Sequence, residues 1–140
     1  MHTILTVNHW NLILQSSLED LQKIPVFIDE IPPLRRLKED KLYFLKLSLH
    51  ELAANAITHG NHSDTTKKVE INLEIEREKI IVTVSDEGSG FSNELYNQTS
   101  SLSPSRSEGG RGLRLVGEFM ELVSMKKTET KFLLRFVLNA

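Results

Sequence analysis

Residues 69–90 constrain the fold more than any other stretch. Val69, Ile71, Leu73 and Ile75 alternate with Glu70, Asn72, Glu74 and Glu76, the period of a strand with one apolar and one wet face. The polar stretch Arg77 to Lys79 turns the chain, and Ile80 to Val84 is a run of β-branched residues suited to a more central strand. That run stops at Ser85, Asp86, Glu87, Gly88, so the pattern predicts a hairpin that opens into a glycine loop. A strand pair with one apolar face has to bury it against another layer.

The rest of the chain offers helices for that layer. From about Leu34 to Thr58, Leu42, Leu45, Leu49, Leu52 and Ala56 recur at three- and four-residue steps, which predicts a helix with one core-facing stripe. His59, Gly60 and Asn61 end it. Upstream, Ile4 to Val7 reads as a short first strand. Asn11 to about Ile24 reads as a first helix carrying Leu14, Leu18 and Leu21 on one face. Pro25, Pro32 and Pro33 limit helical runs, with Val26 to Ile31 extending the first helix beyond a kink. Downstream come a Ser/Thr-rich loop from Asn97 to Arg106 and a third helix from about Gly112 to Glu121. Two last strands, near Glu121–Lys126 and Lys131–Leu138, follow. Helices and strands segregated in this way predict a single α+β domain over residues 1–140. The expected form is a two-layer sandwich, its mixed and mostly antiparallel sheet covered on one face by helices.

Bulk properties exclude several function classes. A chain of 140 residues has room for one domain and a core that folds unaided. Its net charge of −2 and lack of a dense Lys/Arg run argue against nucleic acid as a direct partner. The absence of cysteine removes disulfides, thiolate catalysis and Cys-based zinc sites. Met1 to Trp10 has neither a charged lead nor a long apolar run, so a cytoplasmic protein without signal peptide or membrane span is expected.

Three elements carry chemistry. Glu51, Asn55 and His59 stand at i, i+4 and i+8 of the second helix and share a polar stripe. A carboxylate there can take a proton from a hydroxyl, and an amide oxygen is a hard neutral ligand suited to magnesium. Ala53, Ala54 and Ala56 leave room beside them. Asp86, at the end of a strong strand, offers acceptors that suit an exocyclic amino group such as that of adenine, and Gly88 and Gly90 let backbone approach a flat ring. Gly109, Gly110, Arg111 and Gly112 precede the apolar run Leu113 to Met120, where backbone N–H groups at a helix start can hold an anion. Taken singly, each has a plainer reading: a solvated helix face, an ordinary turn, a flexible hinge. The third element fits neither the Walker loop nor the dinucleotide fingerprint.

Order and spacing make the trio more specific. Glu51-Leu-Ala-Ala-Asn55-Ala-Ile-Thr-His59-Gly60 resembles the N box of the ATPase superfamily shared by gyrase, heat-shock chaperones and histidine kinases. Asp86-Glu-Gly88-Ser-Gly90 resembles its first glycine box, and Gly110-Arg-Gly112 its second. Within the superfamily the short length and the wording Asn-Ala-Ile-x-His-Gly are most similar to bacterial anti-sigma factor serine kinases. The resemblance implies the histidine-kinase-like ATPase fold, with ATP and Mg²⁺ as ligands. Asn55 would hold the metal, Asp86 would read the adenine amino group, and Gly88, Gly90, Gly110, Arg111 and Gly112 would line the nucleotide. Thr130 is assigned to the adenine pocket, and Glu51 would be the general base that takes the proton from a serine. The partners implied are a sigma factor, held inhibited, and an anti-anti-sigma protein that carries the serine. Such relatives commonly form homodimers.

Three positions depart from the family pattern. Glu108 stands where a basic residue is usual, with Arg106 and Arg111 nearby, and its charge opposes phosphate binding. Thr130 follows Glu129 rather than a glycine. The segment between the glycine boxes is short, which favours fast nucleotide exchange over a clamp cycle. Two larger relatives are excluded. A histidine kinase needs an upstream phosphoacceptor hairpin for which the stretch before Glu51 is too short, and a gyrase-like enzyme needs a transducer domain. The alternative from another class is a non-catalytic nucleotide-binding module that regulates a partner by sequestration.

Overall fold

The computed structural model describes residues 8–88 and 116–139. Five strands form one sheet: β1 (His9–Gln15), β2 (Lys68–Glu76), β3 (Lys79–Asp86), β4 (Glu121–Lys127) and β5 (Phe132–Asn139), in the order β1-β2-β3-β5-β4. Each of the four pairings is antiparallel, so the parallel component of a mixed sheet is not among the described strands. Helices α1 (Lys23–Asp29) and α2 (Glu39–Asn55), with helical residues 116–119, supply the second layer.

Register puts one side chain in two on the helix side. Leu14, Val69, Ile71, Leu73, Ile80, Val82, Val84, Phe132, Leu134, Phe136 and Leu138 are buried there against Leu45, Leu49 and Leu52 of α2 and Ile24 and Ile28 of α1. The opposite face carries cross-strand polar contacts. Asn11 donates to Glu70 at 2.8 Å, His9 meets Asn72 at 3.0 Å, and Arg135 lies 4.0 Å from Glu74. The α+β sandwich with helices on one face is therefore the architecture observed.

The N-terminal third corrects the sequence reading. Asn11 to Gln15, expected in a helix, belongs to β1, which pairs with β2 from His9↔Glu74 to Gln15↔Lys68. The spacing of Leu14, Leu18 and Leu21 mimicked a helix face, but Trp10, Leu12 and Leu14 also alternate, and ladder bonding to β2 selects that period. The strand expected at Ile4 to Val7 lies outside the described residues. Leu18–Gln22 is a 3-10 turn capped by Ser17, whose hydroxyl accepts from Glu19 N–H, and α1 follows with Pro25 in its first turn, where no helical N–H is lost.

Helix α2 begins at Glu39, not Leu34. Pro32–Arg36 forms its own 3-10 turn, and Leu37 (ψ 148°) and Lys38 (ψ 152°) are extended, which breaks the run. Of the third helix, expected over 112–121, the described part is residues 116–119, and Glu121 already pairs with Val137. The β2–β3 hairpin turns on two residues, Arg77 and Glu78. Arg77 has φ 45°, in the left-handed region that glycine usually fills at this position.

Candidate functional site

Helix α2 does not end on a left-handed glycine. Its last turn widens into a π turn over Ala56–Gly60, a distortion frequent at functional sites. The chain then folds back through His62 (φ 52°) and Ser63 (φ 56°), held by the Ser63 N–H donating to the Ile57 carbonyl at 2.7 Å. This reversal carries Asn61 into the interior, where it is fully buried. Its amide donates to Ser16 Oγ at 2.8 Å and to the Lys68 carbonyl at 3.0 Å, and it accepts from the Glu87 N–H at 2.9 Å. One side chain thus ties the end of β1, the start of β2, the end of α2 and the loop after β3. Replacing it by alanine leaves those buried groups unpaired, so Asn61→Ala is expected to cost roughly 2–4 kcal/mol. Urea unfolding of the two chains measures it.

Strand period places Asp86 on the helix side. It continues Ile80, Val82 and Val84, and in register it joins the row Leu14, Val69, Asp86, Phe132. A carboxylate in an apolar row loses water. Asp86 is 4% exposed, and burial pushes its carboxyl above the ordinary carboxylate range. The Gly88 N–H, which donates to Oδ1 at 2.9 Å, opposes that shift, as do the charges of Lys67 and His62.

Two glycines let this carboxylate meet the end of α2. A Cβ on Gly60 would fall 2.4 Å from Asp86 Oδ2, and one on Gly88 would fall 1.7 Å from the Gly60 carbonyl oxygen. The loop after β3 therefore packs backbone to backbone on the π turn. The Glu87 carboxylate accepts from the Lys68 N–H and closes the same corner.

One turn back along α2, Asn55 is 5% exposed, and its Nδ2 has no hydrogen-bond partner. A buried donor without a partner costs about 1–3 kcal/mol, a cost that a bound anion or carbonyl oxygen would remove. Glu51 lies on the same helix face, half-buried. The residues present fit a nucleotide with its metal ion. Asn55 offers a buried donor and an amide oxygen, and Asp86 offers acceptors in a desolvated setting. No cluster of acidic or histidine side chains among the described residues could hold a metal alone, so an ion here would take most of its oxygen ligands from phosphates and water.

The structure thus packs Asp86 and Gly88 against Gly60 at the end of the helical segment whose preceding turns carry Asn55 and Glu51. Thr130 lies in the β4–β5 turn, at the same end of the sheet, because Phe132 is the register partner of Asp86. It is exposed, and the hydrogen bond given for it runs from its N–H to Thr128 Oγ1 at 3.4 Å. Gly90, Gly110, Arg111 and Gly112 lie outside the described residues, as does Glu108. Gly60 and Asn61 build this corner; the sequence marks Asn61 only as a helix end, and the Gly-Asn pair, the one signal present, reads equally as a cap.

Size does not locate this site. A cavity of about 900 Å³ lies between the first half of α2, Phe119 and the end of β5. Its walls mix Phe44, Phe119 and Val137 with charges of both signs, and neither Asn55 nor Asp86 is among them.

Comparison with known proteins agrees with this fold. The sequence pattern of the family described as "Histidine kinase-like ATPase domain" matches residues 14–138. The chain belongs to this family. This histidine kinase-like ATPase domain is 29% identical over 121 residues to the anti-sigma F factor of Clostridium perfringens (strain SM101 / Type A), covering 83% of this chain and 84% of the relative. It is 30% identical over 88 residues to the anti-sigma F factor of Bacillus subtilis (strain 168), covering 61% and 60%. A Bacillus licheniformis protein named serine-protein kinase RsbW is 27% identical over 95 residues, covering 62% and 58%. Among solved structures, the catalytic domain of the histidine kinase ThkA matches with a TM-score of 0.53 over 93% of this chain and 97% of that one. At 20% identity, that likeness establishes a shared fold. No helix among the described residues is long and apolar enough to cross a membrane.

Proposed function

We propose that this domain binds ATP with magnesium and acts as an anti-sigma factor-like serine protein kinase, cytoplasmic and homodimeric. In this reading it sequesters a sigma factor and phosphorylates an anti-anti-sigma partner. The observation that carries the nucleotide reading is the buried, unpartnered amide of Asn55, one turn from Glu51, on the helix whose end packs against Asp86. The family match and the names of its relatives support the choice of reaction and partners.

The roles divide by chemistry. Asp86 accepts from the adenine amino group, and Gly88, Gly90 and Thr130 shape the surface beside the ring. Asn55 would hold the magnesium ion, which when bound would supply charge neutralisation at the phosphates. Gly110, Arg111 and Gly112 present N–H groups and a guanidinium to the phosphate chain. Glu51 removes the proton from the partner's serine hydroxyl as its oxygen bonds to the γ-phosphorus, and the bond from that phosphorus to the β-phosphate oxygen breaks, releasing ADP. Glu108 favours a second reading, a nucleotide-binding module that sequesters a partner without transferring phosphate, since a carboxylate at that position repels the transferring group.

Calorimetry with ATP and magnesium tests the first step. Binding is expected at roughly micromolar strength or weaker, and Asn55→Ala should weaken it at least about tenfold, the worth of one good hydrogen bond. No heat of binding in the unmodified chain would end the nucleotide reading. Labelled ATP with candidate partner proteins tests the second step. Glu51→Gln should abolish phosphoserine formation while leaving nucleotide affinity within about threefold, because the general base acts on the serine and not on the nucleotide. If the unmodified chain binds a partner and no phosphoserine forms, the sequestration module is the better account.

A further inference from the structure

At the end of the sheet far from Asp86, two cavities of about 410 and 210 Å³ share Pro33, Arg36, Ile75 and Arg77 in their walls, so they form one elongated groove. Lys79 to Asp86 separates this end from the candidate nucleotide site by roughly 23 Å of extended strand. The accessible floor is apolar: Pro33, Leu37 and Ile75 are partly buried, while Leu34 and Ile80, each 1% exposed, offer almost no surface. One wall is the 3-10 turn Pro32–Arg36, whose prolines offer no N–H. The carbonyl of Asn8, at the other rim, already accepts from the Ile75 N–H at 2.9 Å.

The two guanidinium groups are the groove's principal donors. Among the described residues, neither Arg36 nor Arg77 has a hydrogen-bond or ion-pair partner. Glu78, on the rim of the smaller cavity, is the one carboxylate in the walls. Arg77 also occupies a turn position with φ 45° that glycine fills with less strain. Cationic forks above an apolar, donor-poor floor complement a chain that alternates carboxylates with aliphatic side chains. Phosphate alone would leave the floor unused, and the acidic Glu78 with a net charge of −2 disfavours nucleic acid.

We propose that this groove docks an acidic, aliphatic-rich peptide segment of a partner protein, with Arg36 and Arg77 clamping its carboxylates and Pro33, Leu37 and Ile75 receiving its apolar side chains. The docking site is independent of the nucleotide reading.

The full-length chain, labelled with nitrogen-15, is titrated with an acetylated pentapeptide alternating Leu with Asp and Glu, with its Asn/Gln isostere, and with a short oligothymidine. The acidic peptide is expected to give saturable shifts at the amides of Leu34, Arg36, Ile75 and Arg77. The isostere is expected to bind at least about tenfold more weakly. Arg36→Glu and Arg77→Gly should each reduce affinity for the acidic peptide roughly tenfold. Arg77→Gly should melt no lower than the unmodified chain, because it relieves the left-handed backbone, so its loss of binding cannot be ascribed to unfolding. Absence of saturable shifts, equal affinity for the isostere, tighter binding of the oligothymidine, or full affinity in Arg77→Gly would each overturn the proposal.

Discussion

Gly88→Ala is expected to open the corner that joins the end of α2 to the loop after β3. The added Cβ would stand 1.7 Å from the Gly60 carbonyl oxygen, 2.6 Å from its carbon and 3.2 Å from the Asn61 nitrogen. All three are backbone atoms, so no rotamer change relieves the overlap, and the two segments have to separate. Separation takes the Gly88 N–H from Asp86 and the Glu87 N–H from Asn61. Overpacking of this kind costs about 1–3 kcal/mol or more, and the lost hydrogen bonds raise the total toward the top of that range. For a chain of this length, the thermal midpoint should fall by roughly 6–12 °C. Nucleotide affinity should fall at least about tenfold, because Asp86 and Asn55 are no longer held in one arrangement. Calorimetric melting and ATP titration of the same preparation measure both effects. A variant with unchanged midpoint and unchanged affinity would show that the close approach of the loop to Gly60 has no structural consequence.

The second large effect separates stability from binding at a single atom. Asp86→Asn keeps the side-chain shape and the acceptor for the Gly88 N–H but removes a buried charge. The folded-state pKa of Asp86 is raised, so its favourable contribution to stability is fully present below the unfolded value of about 3.9 and is lost as pH climbs through the folded value. At pH 7 the unmodified chain therefore bears the desolvation cost of this carboxyl group and the variant does not. The variant should melt at the same temperature or higher at pH 7, and the difference should shrink as the pH is lowered below about 3.9. Binding moves in the opposite direction. Losing the charged acceptor for the adenine amino group should weaken ATP binding about 10–100-fold. Full nucleotide affinity in the variant would remove Asp86 from adenine recognition. A melting deficit larger at pH 7 than at pH 3.5 would show that burial is not the dominant influence on this carboxyl group.

These expectations rest on features of unequal legibility. The β2–β3 hairpin and the last two strands could be read within one or two residues, since alternation and β-branching leave few choices over eight residues. The stripe on α2 was equally clear: Leu45, Leu49 and Leu52 are in the core as expected. The N-terminal segment is ambiguous in sequence because Leu14, Leu18 and Leu21 satisfy a helical period while Trp10, Leu12 and Leu14 satisfy a strand period. Only pairing with β2 separates them. The start of α2 was placed five residues early because the extended Leu37 and Lys38 carry no helix-breaking letter.

At the candidate site, residue types and their order mark Glu51, Asn55, Asp86 and Gly88 as candidates. The helical spacing of four and the strand's alternation, which continues from Ile80 through Val84 to Asp86, even assigned the face on which each side chain stands. What sequence could not supply was the contact between the loop after β3 and the end of α2. That contact depends on a π turn, on two consecutive left-handed residues at His62 and Ser63, and on the burial of Asn61. Each arises where segments distant in the chain compete for the same space. Local periodicity determines which way a side chain points. Only the packed structure decides what it meets, because desolvation and hydrogen-bond satisfaction are properties of the neighbours and not of the residue itself.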